Sequence, residues 1–287
     1  MFLPRFALKT AVSLVIMLVF SASAAAYIPP APFIIDLMVK NRKPPEQLQI
    51  TQEIRLYPES EQEPEILEQK VYFRLPGAFR SEISNDDLNR IHISNRGSSV
   101  TVIDGRLFEG RQPWHSCYRD LFFLNSRKSV LEYLFEQGID ANISSLGRLD
   151  KKLVYVIGAR YPNETSRQLW ISKESFHPVR WIVTPAKKSG EPAVHEIRYG
   201  DWKRVENTWY PGEIKFYERG EEFQTMIVKE IKINPSMPGD LFDAEALGRS
   251  ASVKPEDKED QDKAGGTGGE IRRQIEEFKN IYESGQE

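Results

Sequence analysis

Cysteine and histidine are scarce in this sequence: one of the first and four of the second among 287 residues. A lone thiol, Cys117, excludes an internal disulfide, so the core is held by packing alone. The histidines are His92, His115, His177 and His195. None lies three to five residues from another or beside paired carboxylates, so the spacing of a zinc site is missing and no metal is expected. Nucleophile elbows and H-E-x-x-H helices are absent as well. The one glycine cluster, "GGTGG" at 265–269, lacks the Lys-Ser/Thr of a phosphate loop. Cys117 and His115 stand two apart, which on an extended segment puts them on one face but orients them poorly for proton transfer. Long basic blocks are missing too, and the net charge is −3, which argues against a nucleic-acid partner. These absences predict a protein that is not an enzyme and carries no cofactor.

What is present begins with an address. Arg5 and Lys9 precede the apolar run "AVSLVIMLVF", and "SASAAAY" offers an A-x-A site with cleavage between Ala26 and Tyr27. Residues 1–26 therefore read as a secretory signal peptide. The apolar run is short for a spanning helix, and no cysteine at the cleavage site offers lipid attachment. The expected destination is the bacterial periplasm, with retention of the segment as an anchor as the alternative.

Beyond it, a short apolar segment at 33–41 suggests two to three helical turns, after which the period changes. Leu48, Ile50, Ile54 and Leu56 alternate with polar residues, as do Leu67, Val71, Phe73 and Leu75. Alternation of this kind marks half-buried antiparallel strands. It recurs at 78–83, 90–94, 99–104, 152–160, the hairpin 168–183, 194–202, 213–219 and 223–234. In the middle, Val130, Leu131, Leu134 and Phe135 have helical spacing, and Gly138 supplies a stop. The expected fold is mainly β (α+β): a large curved antiparallel sheet of roughly ten strands, with a helical insertion at 120–138 lying over its open side. One domain is expected over 27–248. Residues 249–269 read as a charged, glycine-rich linker. Residues 270–287 read as an amphipathic helix whose stripe, Ile271, Ile275, Phe278 and Tyr282, is a candidate contact for an envelope protein.

Aromatic residues recur on nearly every strand, and they support two readings. One is an ordinary core. The other is a partly filled concave face that holds an acyl chain. The candidate lining is Ile54, Val71, Phe73, Phe79, Tyr155, Trp170, Trp181 and Phe216 from the sheet, with Val130, Leu131, Leu134 and Phe135 facing inward from the insertion. His177, before Pro178 at the mouth of its hairpin, reads as a solvated residue.

The segment "YGDWKRVENTWYPGEIKFYERGEEFQTMIVKEIKINPSMPGDLFD" (199–243), the hairpin "LWISKESFHPVRWIV" and the opening "VYFRLPGAFRSEI" (71–83) together resemble the LolA/LolB-like lipoprotein-carrier superfamily. The likeness covers roughly 33–243 and consists of spaced hydrophobic patterns. It implies an incomplete β-barrel closed by helices and a role with lipidated molecules in the periplasm. No functional arginine of the carriers is matched in this chain, and the linker and terminal helix depart from the pattern. The expectation is a non-enzymatic carrier of the acyl chains of a lipid or lipoprotein. The alternative is an RseB-like envelope sensor or assembly factor that binds a partner protein.

Overall fold

The computed structural model describes residues 28–58, 63–86, 88–108, 114–183 and 195–251. The signal segment with Ala26 and Tyr27 and the terminal stripe of Ile271, Ile275, Phe278 and Tyr282 lie outside the described residues.

Thirteen strands form one antiparallel sheet. They are β1 (Gln47–Leu56), β2 (Glu65–Arg74), β3 (Ala78–Ser84), β4 (Asn89–Asn95), β5 (Ser98–Ile103), β6 (Arg106–Phe108), β7 (Ser144–Leu149), β8 (Lys152–Ile157), β9 (Gln168–Ser172), β10 (Pro178–Val183), β11 (His195–Val205), β12 (Thr208–Glu218) and β13 (Glu221–Ile233). Their order is β6-β5-β4-β3-β2-β1-β13-β12-β11-β10-β9-β8-β7, and the sheet is not closed. The chain steps outward from β1 to the edge at β6, crosses to the opposite edge at β7, and steps back inward to β13. Every ladder therefore joins sequence neighbours except the seam of β1 and β13, which runs from Leu48 opposite Ile233 to Leu56 opposite Gln224.

The crossing from β6 to β7 carries a 3₁₀ helix (Trp114–Arg119) and two helices, α2 (Asp120–Phe123) and α3 (Arg127–Glu136). An earlier helix, α1 (Ala31–Arg42), shares the concave side. It buries Ile34, Ile35 and Met38, the i, i+1, i+4 spacing of one face, and it ends where Lys43 takes a left-handed conformation. α3 starts at a reciprocal cap, in which the Ser126 hydroxyl accepts the Ser129 amide and the Ser129 hydroxyl accepts that of Ser126. Gly138, at φ +71°, lets the chain turn away beyond its end. Among the described residues, no helix is long and apolar enough to cross a membrane.

The convex face is covered only in places. Ala78 and Ile93 pack against Phe242, Ala244 and the final helix α4 (Ala244–Ser250). Asp243 caps α4 by accepting the Ala246 amide at 2.8 Å. α4 ends at Ser250, beside the boundary at 248 that the sequence suggests. At the other end of the sheet, Val154, Val156, Ala159 and Trp170 form a second outer cluster.

Candidate functional site

The concave face and the helices across it form one apolar cluster. Ile54, Val71, Phe73, Phe79, Tyr155, Trp181 and Phe216 from the sheet meet Val130 and Leu134 of α3 there, and Leu131 is half-buried against them. The insertion reaches both halves of the sheet. Phe123 lies 5.0 Å from Phe73 (ring centroids) on one side, while Phe122 lies 4.9 Å from Tyr210 and 5.9 Å from Tyr199 on the other. Tyr133 of α3 meets Trp181 edge-on at 5.9 Å.

Two of the expected lining residues belong elsewhere. Trp170 lies on the convex face, because Leu169 and Ile171 beside it take the inward positions of β9. Its indole N–H donates to Gln168 at 2.9 Å, and the Arg180 guanidinium sits 4.5 Å above its ring. Arg180 is itself held by both oxygens of Glu164 and by Glu196. Phe135 is 83% exposed. α3 presents only a narrow stripe, Val130 and Leu134, and the next residue turns about 100° away from it.

His177 is a third correction. Its side chain is buried, at 3% exposure, with the ring stacked on Trp202 at 4.4 Å and tilted against Trp209 at 4.8 Å. Burial, aided by the nearby Arg42 charge, pushes its pKa down to about 4, so the ring is neutral at pH 7. The turn after β9, with Phe176 at φ +55°, brings the ring against a hairpin distant in sequence. There the alternation of β11 is interrupted at Asp201 (φ +47°), so that Trp202 packs against the core after Tyr199. Gly212 makes this possible from the facing strand, since a Cβ there would lie 2.5 Å from the Asp201 carbonyl.

Arg42 was invisible to pattern reading, because a basic residue in the last turn of a helix ordinarily interacts with the dipole and faces water. Here it is 2% exposed at the end of α1. Its Nη2 donates to the Leu124 carbonyl at 2.5 Å, and its guanidinium lies 6.0 Å from the Phe122 ring. Burial lowers its pKa to about 10, which leaves it charged at pH 7. Two more side chains tie the insertion down: the Tyr199 hydroxyl donates to the Tyr118 carbonyl at 3.1 Å, and Arg167 donates to the Gln137 carbonyl at 2.9 Å. Within the insertion, the Tyr133 hydroxyl donates to Asp120 at 2.8 Å.

The pairing of Cys117 with His115 has the wrong electrostatics for nucleophilic chemistry. Burial pushes the thiol pKa well up and the imidazole pKa down to about 3, so both stay neutral. No group of three metal-ligating side chains occurs among the described residues.

No family model matches the chain, and no curated protein is similar to it in sequence. Solved structures are similar. A DUF1329 family protein from Desulfovibrio piger matches at 13% identity and a TM-score of 0.50, over 77% of this chain and 100% of its own. A LolA superfamily protein from Nitrosomonas europaea matches at 13% identity and a TM-score of 0.50, over 75% and 98%. An outer membrane lipoprotein-sorting protein domain from Vibrio parahaemolyticus gives 10%, 0.49, 76% and 98%. At such identities the likeness speaks for architecture alone: the fold of this chain is similar to that of the DUF1329 protein and of the LolA superfamily protein.

Proposed function

We propose that the protein is a non-enzymatic periplasmic carrier that takes an acyl chain of a lipid or lipoprotein beneath its helical insertion and hands it on. The observation that carries this reading is the strap-like crossing from edge strand β6 to edge strand β7. Its described residues, from 114 onward, cover an apolar concave face, pair with no strand through 136, and are tied to the sheet and α1 by the side chains of Arg42, Tyr199 and Arg167. Apart from the Arg119 guanidinium 3.9 Å over the Phe79 ring and Trp114 stacked on His195 at 4.3 Å, most of its remaining contacts are apolar and non-directional, so methylenes can replace them. Each buried CH₂ contributes about 0.8 kcal/mol, and a dozen would supply on the order of 10 kcal/mol gross. The concave face is filled by Leu121, Phe122, Val130 and Leu134 in the structure described, so loading requires the strap to lift. Transfer then follows from the same exchange in reverse.

Native mass spectrometry of protein purified from the cell envelope, with titration of a fluorescent fatty-acyl probe, tests the proposal. A co-purifying lipid and saturable probe binding are expected. Protein that is lipid-free and blind to the probe would end the carrier reading.

A further inference from the structure

Five buried polar atoms, on four side chains, have no hydrogen bond among the described residues and gather around the end of α1. They are Nε and Nη1 of Arg42, Nε2 of His177, the indole N–H of Trp202 and the hydroxyl of Tyr210. Phe122 neighbours three of the four side chains, Arg42, Trp202 and Tyr210. Its ring centroid lies 6.0 Å from the Arg42 guanidinium carbon, 6.4 Å from the Trp202 ring and 4.9 Å from that of Tyr210, and His177 lies flat on Trp202. Arg42 and Trp202 can only donate, while Tyr210 and His177 can do so. No carboxylate forms an ion pair with Arg42 among the described residues. A buried guanidinium without a counter-charge is strongly destabilising, and several donors converging without an acceptor suit one class of occupant.

We propose that this cluster is a subsite for an anionic oxygen group, a carboxylate or phosphate, at the head of a single-chain amphiphile. The inference rests on the carrier reading, since Phe122 belongs to the strap and covers the donors. When the strap lifts, Phe122 withdraws, the Leu124 carbonyl leaves Arg42, and the guanidinium exchanges that carbonyl for the anion. A shallow recess of about 300 Å³ on the surface is lined by Leu37, Lys40, Asn41, Glu174 and Phe176. Asn41 and Phe176 directly precede Arg42 and His177 in the chain, so the recess lies beside the cluster. At its rim Lys40 is paired with Asp36 at 2.6 Å and Glu174 adds a negative charge, so the mouth itself does not attract an anion and selection falls to Arg42.

The test compares dodecanoate, dodecyl phosphate and dodecyl maltoside, each below its micelle concentration, in displacing the acyl probe from the full chain. Wild type should prefer the anionic heads by about tenfold or more. Arg42→Gln, which also releases the Leu124 carbonyl and so shifts the affinity for all three chains together, should bind dodecanoate, dodecyl phosphate and dodecyl maltoside alike, and Tyr210→Phe should lose part of the preference. Arg42→Leu, which fills similar volume without charge, replaces Arg42→Gln if the latter does not fold. Equal affinity of wild type for charged and uncharged heads, or a preference that survives in the Arg42 variant, overturns the subsite and leaves the carrier reading standing. If no dodecyl chain binds wild type, the carrier reading falls and methyl phosphate alone decides the subsite. A rise in melting temperature that is lost in the Arg42 variant upholds it, and equal shifts overturn it.

Discussion

The His177 ring makes its contacts with two tryptophans from the far hairpin of β11 and β12, so replacing it with alanine should leave a void and cost about 1–3 kcal/mol. Phenylalanine keeps the stack and removes the unpartnered nitrogen, and should be neutral or stabilising. The pH dependence has a definite sign. The folded pKa of about 4 lies below the ordinary 6.5, so on acidification the unfolded chain takes up a proton first. The stability linked to His177 is intact above about pH 6.5 and is lost as pH falls toward 4. His92 and His115, each pushed down to about 3 by burial, act with the same sign. Denaturant midpoints from pH 7.5 to 4 should therefore fall less steeply in His177→Phe than in wild type. Parallel curves would show that the ring titrates as it does in water. The local sequence around His177 held no hint of this burial, because the residues that bury it lie some thirty positions away. A histidine before a proline in a tight hairpin is ordinarily wet, and only the pairing of β10 with β11 places Trp202 beside it.

The helix α3 offers a sharper comparison, because adjacent positions have opposite environments. Leu134 is fully buried and Phe135 is 83% exposed. Leu134→Asp forces an unpaired carboxylate into an apolar site and should cost about 3 kcal/mol or more, whereas Phe135→Asp should stay within about 0.5 kcal/mol. Equal losses in chemical denaturation would mean that α3 is not seated as described. The same logic of half-burial explains which strands were readable. Eleven strands, β1 to β5 and β8 to β13, fall in segments where alternation or an apolar run announces them, because each lies between two neighbours. The two that escaped, β6 and β7, are the edges of the sheet. β6 has only three residues, and "SSLGRL" of β7 mixes polar and apolar on both faces. An edge strand paired on one side and partly wet leaves no period-two signature. Membership of the main apolar cluster was legible wherever alternation set the face, as at Phe73, Phe79 and Phe216. It failed at Trp170, where "QLWIS" is buried on both faces and size alone suggested an inward aromatic.

Among the described residues, the molecule is a sheet whose edge strands β6 and β7 are separated in the chain by a strap, 114–136, that pairs with no strand. Interior strands are held by a ladder on each side, and the seam of β1 and β13 alone ties the early half to the late half through backbone hydrogen bonds. The strap, residues 114–136, has only its own short helical hydrogen bonds, a few side-chain ties and apolar contacts. Local opening free energies follow such differences, and segments that move in ligand exchange come from the low end of the range. Native-state hydrogen exchange should therefore show the amides of α2 and α3 opening sub-globally, with little dependence on denaturant. Those of β1, β12 and β13 should exchange only through global unfolding. Saturating acyl probe should change exchange in the strap far more than in the seam, since the cover and not the ladder is rearranged by loading. Strap and seam amides that merge into one isotherm at every denaturant concentration would make the cover part of a single cooperative unit. A sheet that must unfold to open its cover cannot hand on a ligand, and the carrier function would then have no physical route.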